Sequence, residues 1–87
     1  PVMVSLSDKA EEIRQRELRH IFAKIDGLTD EDKRVLQYMT RMIVRKILRE
    51  PMMHLNEHAG TKWEDADKSA VTRLFKLDVR KGQALEK

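Results

Sequence analysis

One segment decides the fold of this chain: residues 35–51, with the sequence VLQYMTRMIVRKILREP. Its apolar side chains recur every three or four residues, which is the spacing of one face of an α-helix. They are Val35, Leu36, Met39, Met42, Ile43 and Ile47, with Val44 and Leu48 beside them. A chain of 87 residues has too little other apolar surface to cover so wide a stripe. We therefore predict that this helix is the centre of a helical bundle that a second chain completes.

The composition excludes several classes of protein. The chain has no Cys, so it has no disulfide, no thiolate metal site and no Cys nucleophile. Charged residues make up 38% of the sequence and the mean hydropathy is -0.64, which predicts a soluble protein without a membrane segment. No signal-peptide pattern is found, so we expect a cytoplasmic location. Because the sequence begins with Pro1 rather than Met, we expect it to be a fragment of a longer protein.

The N-terminal part of the chain predicts one helix. Ser7 and Asp8 are good N-cap residues for a first helix that runs to about Asp26. The residues before this cap are expected to be extended or disordered. The helix is thinly apolar in its first half, so residues 1–9 are predicted to be a flexible segment or the end of an upstream helix. Its apolar face consists of Ala10, Ile13, Leu18, Ile21, Phe22 and Ile25.

A short turn separates this helix from the central one. Gly27 suits the left-handed conformation that often follows a helix. Thr29 is a good N-cap, and the acidic residues 30–32 lie at the positive end of the helix dipole. Two long helices joined by so short a turn predict an antiparallel hairpin.

Pro51 is expected to end or kink the central helix, and the chain after it is expected to restart as a short helix that ends at Gly60. Thr61 and Glu64 form a capping-box pattern for a last helix. Its predicted apolar face consists of Trp63, Ala66, Ala70, Leu74 and Leu77. The fold prediction is all-α: an antiparallel helical hairpin plus one or two shorter helices, forming a dimeric helical bundle. The helical domain is assigned to residues 10–77 and a flexible tail to residues 78–87.

Residues that suggest chemistry are few. His54 and His58 are four positions apart, a spacing that presents two imidazoles to a metal ion from one helix face. A surface pair without a ligand is the ordinary alternative. The sequence contains no glycine-rich phosphate loop, no dinucleotide-binding motif and no catalytic triad. We therefore assign no catalytic, cofactor-binding or metal-binding residue to these 87 residues.

Arg41, Arg45 and Arg49 form a basic stripe along the central helix. A helix that contacts nucleic-acid phosphates has this pattern, and so has the solvated face of an ordinary bundle helix. The net charge is +3, with eighteen basic residues interspersed among fifteen acidic ones, so charge alone does not indicate nucleic acid. Whether this stripe contacts RNA is left open.

The central helix resembles a known family. The matching residues are Leu36, Met39, Thr40, Ile43, Val44, Lys46, Leu48, Pro51 and Leu55. They resemble the C-terminal dimerisation domain of glutamyl-tRNA reductase, which has a Leu-Thr pair, an Ile-Val-Asn-Lys run and then Leu-His-x-Pro. The resemblance covers about residues 10–77. Arg45 replaces the usual Asn, Arg49 the usual His and Met39 the usual Leu.

The resemblance implies a parent enzyme that reduces glutamyl-tRNA to glutamate-1-semialdehyde with NADPH, in tetrapyrrole (porphyrin) biosynthesis. It places the nucleophilic Cys and the nucleotide-binding fold in separate upstream domains, joined to this one by a long spinal helix. The fragment itself is then non-catalytic. Its partners are a second copy of itself and, for the parent enzyme, glutamyl-tRNA.

The predicted dimer interface lies on both long helices. Its residues are Leu18, Ile21, Phe22, Ile25, Leu36, Met39, Ile43 and Ile47. Two alternatives remain open: a basic nucleic-acid-binding bundle and a small helical enzyme of the chorismate-mutase type. The second alternative rests on Glu17-Leu18-Arg19 and Ile25-Asp26, but Gly27 interrupts the long first helix that such an enzyme requires.

Overall fold

The computed structural model describes residues 1–78, and all regular structure in that part of the chain is helical. It consists of α1 (Val2–Lys24), α2 (Asp30–Glu57) and α3 (Glu64–Leu74). The predicted all-α class is confirmed. The long helices α1 and α2 form a hairpin, and α3 contacts both of them. The predicted tail, apart from Asp78, lies outside the described residues.

The start of α1 differs from the prediction. The helix begins at Val2, whereas residues 1–6 were expected to be extended or disordered, and Ser7 and Asp8 lie inside the helix rather than at its cap. The physical reason is burial. Val2 and Leu6, one helical turn apart, are both buried, and this burial favours the helix over an extended or disordered segment. Whether α1 continues an upstream helix stays a prediction.

The turn between α1 and α2 has the predicted chemistry. Gly27 adopts the left-handed conformation, with φ of 82°. The Thr29 hydroxyl accepts a hydrogen bond from the Asp32 amide, and the Asp32 carboxylate accepts one from the Thr29 amide, both at 3.0 Å. This reciprocal capping box satisfies two donors that the helix itself leaves unpaired. It fixes the first residue of α2.

Pro51 lies inside α2, and the helix continues past it to Glu57. The expectation of a separate short helix after Pro51 is therefore wrong. Pro51 lacks the amide that would bond the carbonyl four residues before it. Pro51 and Met52 are half-buried and Leu55 is buried, so packing of this segment offsets the missing hydrogen bond.

The start of α3 also differs from the prediction. The Thr61–Glu64 capping box does not form, because Glu64 accepts a hydrogen bond from the Gly60 amide while the Thr61 hydroxyl donates to the His58 carbonyl. Trp63 and Leu74, expected on the apolar face, are exposed. The half-buried residues of the helix include Asp67, Ala70 and Val71. The contact between Asp67 and His58 turns this face inward.

The hydrophobic core is small. The buried apolar side chains of residues 1–78 are Val2, Leu6, Leu18 and Leu55. Three of them lie on α1, at positions 2, 6 and 18, and Ala10 and Arg14 between them complete a line with four-residue spacing. This line is the face of α1 that packs on α2. Many large apolar side chains are left outside the core, and those on α2 form the candidate site.

Candidate dimer interface

The wide apolar stripe of α2 divides into two adjacent lines in the structure. An inner line is half-buried and consists of Leu36, Thr40, Val44 and Leu48, and it leads to the buried Leu55. Its four-residue spacing keeps it on one helix face. The inner line faces α1, as the hydrogen bonds of Arg14 show. The chain itself therefore covers about half of the apolar stripe of α2.

Arg14 joins the two long helices. Its side chain is buried, and its Nη1 donates to the Gln37 carbonyl at 3.2 Å and to the Thr40 hydroxyl at 3.3 Å. Its Nε and Nη2 donate to the two oxygens of Glu11, at 2.9 and 2.6 Å. Every polar edge of the guanidinium is thus engaged, which is the condition for burying a charge without a large desolvation penalty.

The ion pair shifts the pKa of both partners. The hydrogen bond from Arg14, with a further one from Gln15, lowers the pKa of Glu11 to about 2. The same hydrogen bond raises the pKa of Arg14 above its usual range. Glu11 therefore carries its negative charge throughout the neutral and mildly acidic range, and Arg14 stays charged inside the hairpin.

The outer line of α2 has no cover within the described chain. It consists of Val35, Met39, Ile43 and Ile47, each between 47% and 66% exposed. These residues are spaced by four, and each lies one position before a member of the inner line. An exposed apolar strip along most of a long helix indicates a surface that packs against another protein chain.

The predicted interface residues fall into two groups. Met39, Ile43 and Ile47 lie together on the outer line, and Ile25 is exposed at the end of α1. The others have less free surface: Ile21, Phe22 and Leu36 are half-buried, and Leu18 is buried. Leu36 lies on the inner line that faces α1. Leu18 has almost no area left to offer a partner.

Arg14 is buried in the structure, although it is not among the residues predicted for the apolar face of the first helix. A signal was available in the sequence. Arg14 lies on the four-residue line of Leu6, Ala10 and Leu18, and Thr40 is a hydroxyl residue within the inner line of α2. A charged residue on a buried line, opposite a polar residue on the facing line, is typical of an interhelical hydrogen bond.

The arginine stripe lines a cavity of about 450 Å³ between α1 and α2. Arg41, Arg45 and Arg49 form one wall of it, and Ser7 and Glu11 lie opposite. The charge of Arg41 contributes to the lowered pKa of Glu11. Part of this basic charge is therefore balanced within the chain itself, which makes the stripe less suited to nucleic-acid phosphates.

A comparison with protein families decides the classification. The family described as glutamyl-tRNAGlu reductase, dimerisation domain, matches residues 1–77. The chain belongs to this family. The resemblance noted on the central helix is confirmed, and the match extends to the N-terminal turns of α1. It also favours the dimerisation-domain interpretation over the chorismate-mutase and nucleic-acid-binding alternatives.

Curated relatives of this dimerisation domain carry the name glutamyl-tRNA reductase. The chain is 30% identical over 78 residues to the protein of Natranaerobius thermophilus, and the match covers 90% of this chain and 17% of that protein. It is 35% identical over 78 residues to the protein of Thermodesulfovibrio yellowstonii, covering 90% of this chain and 18% of that one. The chain therefore spans less than a fifth of the length of these relatives. No solved structure matches it.

Within residues 1–78 of this dimerisation domain, no helix has both the length and the hydropathy of a membrane span. The same part of the chain contains no strand, so it lacks the strand, glycine-rich loop and helix that bind a dinucleotide. The residues described here do not fit NADPH. The family is named for dimerisation, and the outer line of α2 is the exposed surface for which this name offers an explanation.

Proposed function

We propose that this chain is the homodimerisation module of an NADPH-dependent glutamyl-tRNA reductase. The exposed outer line of α2, in a domain whose family is named for dimerisation, is the observation that supports it. The parent enzyme would reduce glutamyl-tRNA to glutamate-1-semialdehyde in tetrapyrrole biosynthesis, with NADPH and catalytic residues held in other domains. Its aminoacylated tRNA substrate favours a cytoplasmic location.

The apolar area on the outer line supplies a stabilisation comparable in size to the cost of association. Burying a half-exposed aliphatic side chain is worth about 1 kcal/mol, roughly half of the value for full burial. Four such side chains on each of two copies give about 8 kcal/mol, because a two-fold contact repeats every interaction. This lies within the ~4–15 kcal/mol that association costs in lost motion. Contacts from Ile25, Ile21 and Phe22 of α1 would add to it.

A charge at the centre of the outer line tests the proposal. Ile43→Asp places a carboxylate in the proposed contact twice, once on each copy, and burying it unpaired costs several kcal/mol. The expected result is a mass of 10.3 kDa for the variant and twice that for the native chain, by sedimentation equilibrium at equal concentration.

Leu74→Asp is the matched control. Leu74 is a 69% exposed apolar residue on α3, outside the outer line, and its replacement adds the same charge. This variant should keep the dimer mass. If Ile43→Asp sediments like the native chain while circular dichroism shows it to be folded, the outer line is not the dimer contact.

A further inference from the structure

One side-chain cluster lies apart from the proposed interface, where α2 meets α3. His54 and His58 are one turn apart at the end of α2, and Asp67 lies in the first turn of α3. The His58 Nδ1 is 2.5 Å from the Asp67 Oδ2, and the His54 Nε2 is 3.6 Å from that same oxygen. One potential ligand atom from each residue lies within 4.8 Å of the other two. Two imidazoles from one helix thus converge on a carboxylate from another.

A hydrogen bond explains only part of this arrangement. A carboxylate accepts, so the His58 ring donates its Nδ1 proton to Asp67, and that pair is complete without His54. The His54 nitrogen is too far from the carboxylate for a hydrogen bond, yet its ring packs against that of His58, with the centroids 4.0 Å apart. The second imidazole, that of His54, is the feature that this hydrogen bond leaves unexplained.

We propose that His54, His58 and Asp67 bind a divalent transition-metal ion, with Zn²⁺ the best match to two imidazole nitrogens and one carboxylate oxygen. Tetrahedral Zn²⁺ holds such ligands at roughly 2.0–2.1 Å, which places neighbouring ligand atoms about 3.3 Å apart. The distance from His54 to Asp67 already has this value within a few tenths of an ångström. The pair of His58 and Asp67 opens by less than about 1 Å as the ion replaces the shared proton.

The surroundings suit a cation with one open coordination position. A cavity of about 350 Å³ adjoins the cluster, and Glu50, His54 and Asp67 line it. Glu50 precedes His54 by four residues and adds negative charge on the same side of α2. The side chains of the three ligands are 21–58% exposed, so an ion reaches them from solvent and a water molecule can fill the fourth position.

The ion would tie α3 to the end of α2. None of the residues of α3 is fully buried, so packing alone holds this helix weakly. The Lys9 ammonium, which donates to the Phe75 carbonyl at 2.5 Å, connects α1 to the residue after α3. The hydrogen bond between His58 and Asp67 already links the other end of α3 to α2, and a metal ion bridging both helices would strengthen this link. The proposed metal site is separate from the proposed dimer contact.

The test is a titration of the untagged 87-residue chain, stripped with EDTA, with ZnCl₂ in a calorimeter. We expect one Zn²⁺ per chain and, at ten times the Kd, a rise in Tm of about 5–10 °C. His58→Ala and Asp67→Asn should each weaken binding by at least about tenfold. His20→Ala is the control, because His20 is an exposed histidine on α1, remote from the cluster in the sequence, and this variant should bind like the native chain.

Co²⁺ supplies a readout that does not depend on the variants. The native chain loaded with Co²⁺ should show the intense visible absorption of a tetrahedral site. The proposal is overturned if the folded native chain shows neither binding heat nor a Tm shift up to about 0.1 mM Zn²⁺. It is equally overturned if His58→Ala and Asp67→Asn bind as tightly as His20→Ala, or if Co²⁺ shows only a weak octahedral spectrum.

Discussion

The guanidinium of Arg14 on α1 donates a hydrogen bond of 3.3 Å to the hydroxyl oxygen of Thr40 on α2. The Thr40 hydroxyl in turn donates to the Leu36 carbonyl of its own helix, at 2.9 Å, so its oxygen is free to accept from Arg14. This contact joins the inner line of α2 to α1. The outer line, with Ile43 near its centre, lies on the surface.

Replacing Thr40 with Val tests the contribution of this hydroxyl. Val has nearly the same shape but cannot accept from Arg14, so we expect the free energy of unfolding to fall by about 1 kcal/mol. Urea unfolding at a fixed protein concentration measures it. Thr72→Val on α3 is the control and should change stability by less than about 0.5 kcal/mol. Equal effects of the two substitutions would mean that the hydrogen bond contributes nothing.

Replacing Arg14 with Met removes all of its hydrogen bonds and keeps much of its apolar length. We expect a loss of about 2–3 kcal/mol in urea unfolding, because the carbonyl of Gln37 and the hydroxyl of Thr40 lose a charged donor. Arg16→Met, at an exposed position on the same helix, should be nearly neutral. In the double variant with Thr40→Val the two losses should be less than additive. Full additivity would show that the two side chains do not interact.

The Glu11–Arg14 pair predicts a specific dependence of stability on pH. The pKa of Glu11 falls from 4.5 to about 2 on folding, so its ionised form stabilises the native state above about pH 4.5. This contribution declines as the pH falls from about 5 to about 2, where the folded state also takes up the proton. The stability difference between the native chain and Glu11→Gln should therefore be largest at neutral pH and should shrink on acidification.

Unfolding of both proteins between pH 7 and pH 2 measures this difference. Glu12→Gln is the matched control, because it removes the same charge from the exposed neighbouring position. The side chain of Glu11 is about half exposed, so added salt should reduce the effect by screening. A difference in the free energy of unfolding between the native chain and Glu11→Gln that stays constant down to pH 2 would contradict the lowered pKa of Glu11.

The parts of the fold that the sequence predicted depend on local chemistry. The hairpin turn follows from Gly27, which adopts a left-handed conformation, and from Thr29, whose hydroxyl caps α2. These residues act on their immediate neighbours in the chain, so their effect can be predicted from the sequence alone. The helical period of α2 was equally visible. This period identified Met39, Ile43 and Ile47 as members of one helix face. It did not show which side of the wide apolar stripe α1 would cover.

The parts that the sequence did not predict depend on contacts between distant segments. The N-terminal turn of α1 is helical because Val2 and Leu6 find cover in the folded chain. Arg14 is buried because α2 offers it Gln37 and Thr40, more than twenty residues away. Asp67 meets His58 only because α3 folds back on α2. Pairings of this kind have no local signature, so spacing alone could not reveal the third member of the histidine cluster.

The most direct test of the proposed dimer is the mass of the native chain in solution, by sedimentation equilibrium over a range of concentrations. The exposed outer line of α2 predicts a mass near twice 10.3 kDa that persists to low micromolar concentration. A well-folded chain that sediments at 10.3 kDa at every concentration would contradict it. In that case the residues from Val35 to Ile47 would be exposed for another reason, and the dimerisation proposal would fail.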